Sequence, residues 1–266
     1  FHLSFGWLFG SPQTPEQFLA KLDDANPEVR WRAAGDLSQM LLRDDRLASN
    51  ADFALELVKR LKQAREDNKA AELEVAKKFP ALSPEELDKL SDEQWLKRGE
   101  DLERESIKLD AQRTYIKFLT ACLGNFMVPV AVSELRGLAL QDSGIEASQL
   151  AERRANALWA LAVLGENCKR FDKLPAVEQQ MAFDALEEAA KDPERADSAG
   201  PALTYLRKRQ ENLPDAMGVD LITETTAQAD DPFLREVSAF ALNFWYGNDA
   251  ANKRMEETLA KLAHDD

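Results

Sequence analysis

The chain reads as all-α: a solenoid of about five or six helical pairs with a charged helical insertion. Three observations predict it. Ala, Leu, Glu, Lys and Arg fill most positions, whereas glycine and proline number only 11 each, too few for a chain rich in strands and tight turns. Apolar residues recur at spacings of three and four rather than two. A short Arg-Ala-Leu pattern also comes back at multiples of about 41 residues, a period that belongs to stacked helix pairs.

The elements follow in order. In "SPQTPEQFLAKL" Thr14 is the expected N-cap, Pro15 the first helical residue, and Phe18, Leu19 and Leu22 one apolar face, with an end near Asp23 and Asp24. Asn26 then caps a helix started by Pro27, in which Val29, Ala33, Leu37, Met40 and Leu41 form a stripe wide enough to bury. "SNADFALELVKRL" follows, with Asn50 or Asp52 as cap and Phe53, Leu57 and Leu61 inward.

From residue 62 to 110 charges dominate and the large apolar residues thin to Leu73, Val75, Phe79, Leu82, Leu87, Leu90, Trp95 and Leu96. Ser83-Pro84-Glu85-Glu86 and Ser91-Asp92-Glu93 both read as helix starts. The stretch is an inserted set of helices: a linker, a long lever-like helix from Ser91, or a docking arm with Trp95 as a contact residue, set against a plain solvated face.

"TYIKFLTACLGNF" is a buried helix stopped by Gly124-Asn125, "VPVAVSELRGLAL" starts at Pro129, and "EASQLAERRANALWALAVLG" ends at Gly165. "LPAVEQQMAFDALEEAA" begins at Pro175. "GPALTYLRKRQ", "DAMGVDLITETTAQA", "DPFLREVSAFALNFW" and "DAANKRMEETLAKLA" complete about a dozen helices, each announced by Asp, Pro or Gly. The expected units are therefore an aromatic arm at 1–13, helices at 14–61, the insertion at 62–110 and helices at 111–266.

Charge and composition exclude several functions. With 48 acidic and 34 basic residues the net charge is -14, so no nucleic-acid partner is expected. Lys169-Arg170 and Arg207-Lys208-Arg209 read as solvated helix ends. Cys122 and Cys168 lie in apolar contexts and behave as small hydrophobes. His2 and His264 stand at opposite ends of the chain, which leaves no His-based metal site or catalytic triad. Neither a metal nor an organic cofactor is expected.

No stretch reaches the roughly 18 apolar residues of a membrane span. The opening "FHLSFGWLFG" is nonetheless rich in aromatics and does not start with Met, and the expectation is that residues precede it. Phe1, Phe5, Trp7 and Phe9 are candidate contact residues. They read as an arm packed on the body or on a protein partner, or as an interfacial segment following an absent membrane anchor. The expected location is accordingly cytoplasmic or membrane-associated.

Three segments carry the repeat: Arg30-x-x-Ala33-Ala34-x-x-Leu37, Arg154-x-x-Ala157-Leu158-x-x-Leu161 and Arg235-x-x-Ser238-Ala239-x-x-Leu242. Their arginines are 124 and 81 residues apart, close to three and two times about 41. "NPEVRWRAAGDL" and "DPFLREVSAFAL" resemble HEAT repeats, whose signature is Asp/Asn-Pro-x-Val-Arg-x-x-Ala-x-x-Ala-Leu. Pro27 and Pro232 stand where that family's Pro starts a helix, Val29 and Leu234 where its apolar residue packs inward, and Arg30 and Arg235 where its Arg reaches a neighbouring acid. The Arg154 segment lacks the Pro, residues 62–110 show no match, and the resemblance covers about half the chain.

Small Ala33, Ala34 and Ala239 allow close helix approach, while Leu37 and Leu242 fill the space between pairs. The resemblance implies an extended curved surface for protein partners, and so a non-enzymatic scaffold or accessory subunit. A second expectation is the soluble part of a membrane-tethered subunit. A third is a HEAT-like enzyme such as an alkylpurine DNA glycosylase or bilin lyase, for which Trp159, Trp245, Tyr246 and Asp249 resemble part of the aromatic-plus-carboxylate set. Tryptophans spaced among Ala and Leu are, however, expected in the core.

Overall fold

The computed structural model describes residues 14–87, 89–140, 147–211, 232–242 and 244–245, with scattered positions between 213 and 260. Every regular element among them is helical. In order these are α1 (Pro15–Leu22), α2 (Pro27–Leu41), α3 (Asp45–Ala48), α4 (Ala51–Lys78), α5 (Pro84–Leu87), α6 (Asp92–Gly124), α7 (Val132–Leu140), α8 (Ala147–Phe171), α9 (Ala176–Ala189), α10 (Ala196–Gln210) and α11 (Pro232–Leu242). Phe1, Phe5, Trp7, Phe9, Tyr246 and Asp249 lie outside the described residues.

Local chemistry sets the starts. Thr14 accepts from the Gln17 amide while the Gln17 side chain returns to the Thr14 amide, closing a capping box before Pro15. Asn26 caps α2 through the Glu28 amide at 2.9 Å, with Pro27 at its first position. Asn50, not Asp52, caps α4 through Phe53, and Ser91 with Gln94 forms a second capping box on α6.

Three expected boundaries are corrected. Pro129 does not start α7, which begins at Val132. Gly165 does not end α8, which runs on to Phe171. A Cβ on Gly165 would stand 2.8 Å from Trp245 Nε1, so the glycine is there for close approach. Gly200-Pro201 does not start α10, which begins at Ala196. Pro201 frees the Asp197 carbonyl, and the Ser133 hydroxyl of α7 donates to that oxygen at 3.5 Å.

The charged stretch 62–110 is built into the two longest helices. Residues up to Lys78 continue α4, and α6 begins at Asp92 and runs for 33 residues, about 50 Å. Only α5 is separate. The C-terminal half of α6 is the centre of the core: Tyr115, Ile116, Leu119, Cys122 and Leu123 are buried, and Asn125 to Ala131 after it are buried as well. Asn125 Nδ2 donates to the Ser38 carbonyl at 3.0 Å, and the Met127 amide donates to Ala48 O at 2.8 Å.

Helices α1, α2, α6, α8 and α11 pack in that spatial order. Cys122 Sγ lies 3.2 Å from Ala34 O on one side of α6, while on the other a Cβ at Gly124 would be 2.9 Å from Ala160. Helix α4 lies along a third side of α6 and α7 along α8; the buried Glu134 carboxylate of α7 pairs with Arg65 of α4. The α9–α10 hairpin meets α4, where Arg195 donates to Glu56 at 2.6 Å. The apolar core is continuous through all of these.

Candidate interaction surfaces

The three aligned segments fall on α2, α8 and α11, all members of one row. Ala33, Leu37, Ala157, Leu158, Leu161, Ser238 and Leu242 are buried and Ala239 is partly buried. Between α2 and α8 in that row, α6 carries Gln112-x-x-Tyr115-Ile116-x-x-Leu119, 82 residues after Arg30 and 42 before Arg154. With an aromatic in place of the first small residue and no arginine, this segment is missed by the motif, although its spacing identifies it.

Several expected roles change. Val29 is 36% exposed, because the buried face of α2 begins one turn later at Ala33. Arg30 reaches a ring rather than an acid: its guanidinium stands 5.5 Å over Tyr115, and its Nε is buried without a hydrogen-bond partner. Arg154 Nε is likewise buried and unpartnered. Arg235 is partly buried on α11, and Pro232 is the first residue of that helix. Trp159 is not in the core. It is 54% exposed and stacks on Phe240 at 5.3 Å and 6°, because Ala157, Leu158 and Leu161 turn the opposite face of α8 inward. Trp245 is buried and donates from Nε1 to Leu161 O at 3.0 Å.

The first candidate surface is the arm formed by the distal half of α4, α5 and the first half of α6. At its base Glu72 accepts two bonds of 3.2 Å from Arg113 and one of 3.5 Å from Arg153, tying α4, α6 and α8 together. Further out, Lys78 pairs with Glu105 at 3.1 Å, and Arg98 covers the Phe79 ring while donating to Pro80 O at 2.7 Å. Inside the seam Asn68 is fully buried and neither amide atom has a partner.

Large apolar side chains remain outside that seam. Trp95 is 48%, Leu96 67% and Ile107 62% exposed, and Leu73 and Leu102 are exposed as well. Neighbouring helices do contact α6 nearer its C-terminal end: Trp31 of α2 stacks on Phe118 at 6.1 Å, and Lys117 pairs with Glu152 of α8 at 2.9 Å.

A second surface is the Trp159–Phe240 stack, continued edge-on by Phe244, over which Lys169 lies at 5.6 Å. A third is a groove between α3, the start of α4 and α9.

Nothing among the described residues groups three or more metal-ligating side chains, and no helix of theirs is long and apolar enough to cross a membrane. Both cysteines are buried; burial pushes Cys168 up to about 12 and Cys122 well above the ordinary thiol range, so neither is poised as a nucleophile. No protein-family model, curated protein or solved structure matches the chain.

Proposed function

We propose that this protein is a non-enzymatic interaction scaffold or accessory subunit, a HEAT-like helical array that binds protein partners through its α4–α6 arm. The observation that carries the reading is the exposure of Trp95, Leu96, Leu102 and Ile107 along one helix, where soluble chains usually place charge. A tryptophan beside aliphatic anchors is the composition of a binding hot spot. The row α2, α6, α8 and α11 supports the array, since the repeated small residues and leucines bury one helix against the next. The net charge of -14 favours a partner with a basic rim and disfavours nucleic acid.

The test is site-specific photo-crosslinking in the full chain, with a benzophenone amino acid at Leu96, Ile107 or exposed Glu211. The reading expects one and the same protein joined at positions 96 and 107 and absent at 211. Equal labelling at all three positions, or none at the arm, overturns it.

A further inference from the structure

Helix α9 is apolar on two sides, and the described residues cover only one of them. Phe183 and Leu186 are buried in the core, whereas Val177 and Met181, one turn apart on the opposite side, are 71% and 64% exposed. Ala185 continues their line by another turn. A helix with two apolar faces calls for a second neighbour. The open side faces a groove whose other wall is Leu47 of α3 and Ala51 of α4, and the cavity between them measures about 630 Å³, within the range of binding clefts. Ala51, Ala182 and Ala185 in its lining are small enough to let another backbone come close.

The border of this groove is acidic. Helix α9 contains Glu178, Asp184, Glu187 and Glu188 and no Lys or Arg. Asp44 and Asp52 join Glu178 in the lining, with Arg46 as the one cation among the described lining residues. Asp52 is held only by Arg195, at a distance of 3.7 Å. Exposed apolar side chains between carboxylates suit a guest with one apolar edge and cationic flanks. An extended peptide finds no strand to lengthen here, since every regular element among the described residues is helical. The ridge made by positions 177, 181 and 185 is of the kind that packs between the ridges of another helix.

We propose that the groove between α3, α4 and α9 is a second docking site, separate from the arm, for a short basic amphipathic helix of a partner protein. The apolar edge of that helix covers Val177, Met181 and Ala185, and its Lys or Arg side chains meet Glu178, Asp44 and Asp52. The site does not depend on the arm, so the two surfaces can be tested one without the other.

The test measures fluorescence anisotropy of two synthetic helical peptides with the full 266-residue chain. Both peptides carry the same leucine edge, flanked by Lys in one and by Glu in the other. The Lys-flanked peptide is expected to bind, to weaken with added salt, and to lose at least about tenfold in affinity on Met181→Asp and several-fold on Glu178→Lys. Leu96→Glu on the arm should leave its binding unchanged. A second variant, Met181→Cys, reads the site without a polar substitution: buried Cys122 and Cys168 are out of reach of a maleimide, and the Lys-flanked peptide should slow labelling at position 181 several-fold. Equal binding of the two peptides, an affinity untouched by Met181→Asp, or one lost on Leu96→Glu overturns the proposal. So does a Met181→Cys that resists maleimide without peptide, which shows the groove filled by the chain itself, or one whose labelling slows as protein concentration rises, which assigns it to a second copy.

Discussion

The Arg30 guanidinium lies 5.5 Å above the centroid of Tyr115, and the Tyr115 hydroxyl donates to the Leu22 carbonyl at 3.1 Å, so one ring joins α2, α6 and the end of α1. Arg30→Ala is expected to cost about 1–2 kcal/mol, because the cation rests on the ring in a desolvated setting. Urea unfolding measures this, and the loss should change little with salt. An unchanged midpoint would show that the ring contact contributes nothing.

Tyr115 also gives stability an alkaline limit. Burial is the largest effect on its hydroxyl and pushes the pKa from 10.0 up to about 12, against the opposing pull of Arg30. The protonated form is favoured in the fold. The contribution is therefore complete below pH 10, is lost as pH rises from about 10 to 12, and amounts to about 2–3 kcal/mol. Tyr115→Phe should be weaker by about 1 kcal/mol at pH 8 through the missing hydrogen bond, yet decline less over that alkaline window. Parallel curves for the two proteins between pH 9.5 and about 12 would refute the assignment.

Cys122 and Cys168 should be silent toward a chromogenic disulfide reagent at pH 8 and should both react once urea unfolds the chain. Burial raises both thiols, so reaction requires opening of α6 or α8. One thiol titrating within seconds in the native protein would contradict this packing.

Gly124 marks the tightest approach of α6 to α8. A Cβ there would lie 2.9 Å from both Ala160 Cα and Ala160 O. Because the obstacle is backbone, Gly124→Ala should destabilise by about 1–3 kcal/mol, and Ala160→Gly should recover little of it. A neutral Gly124→Ala in thermal unfolding would mean that the helices stand further apart.

Much of this was legible in the chain. Thr14, Asn26, Asn50 and Ser91 cap by hydrogen bonds spanning two or three residues, so their role is written locally. Gly165 and Gly200-Pro201 misled because a glycine or proline stops a helix only where no other element compensates. Trp245 packs on the first, and the Ser133 hydroxyl reaches the carbonyl freed beside the second. Arg30 was recognisable as structural, but its partner ring is 85 positions away in sequence, beyond any periodicity. Trp159 shows the limit of apolar spacing: residue type marks it for the core, whereas its angle on α8 places it outside. The arm was visible as a thinning of apolar residues, but its union with α4 and α6 was not, because helix propensity runs unbroken through the change in charge.

The proposed function rests on the exposed apolar side chains of the arm, which bind a partner and are not needed to hold the body together. Its most direct test is the full chain carrying Trp95→Ser, Leu96→Glu and Ile107→Glu, compared with the parent for urea unfolding and for retention of the protein crosslinked at positions 96 and 107. All three side chains are exposed. The account predicts unfolding free energies within about 0.5 kcal/mol of each other and at least about tenfold weaker retention. Undiminished retention by a folded variant, or collapse of the fold itself, would contradict it.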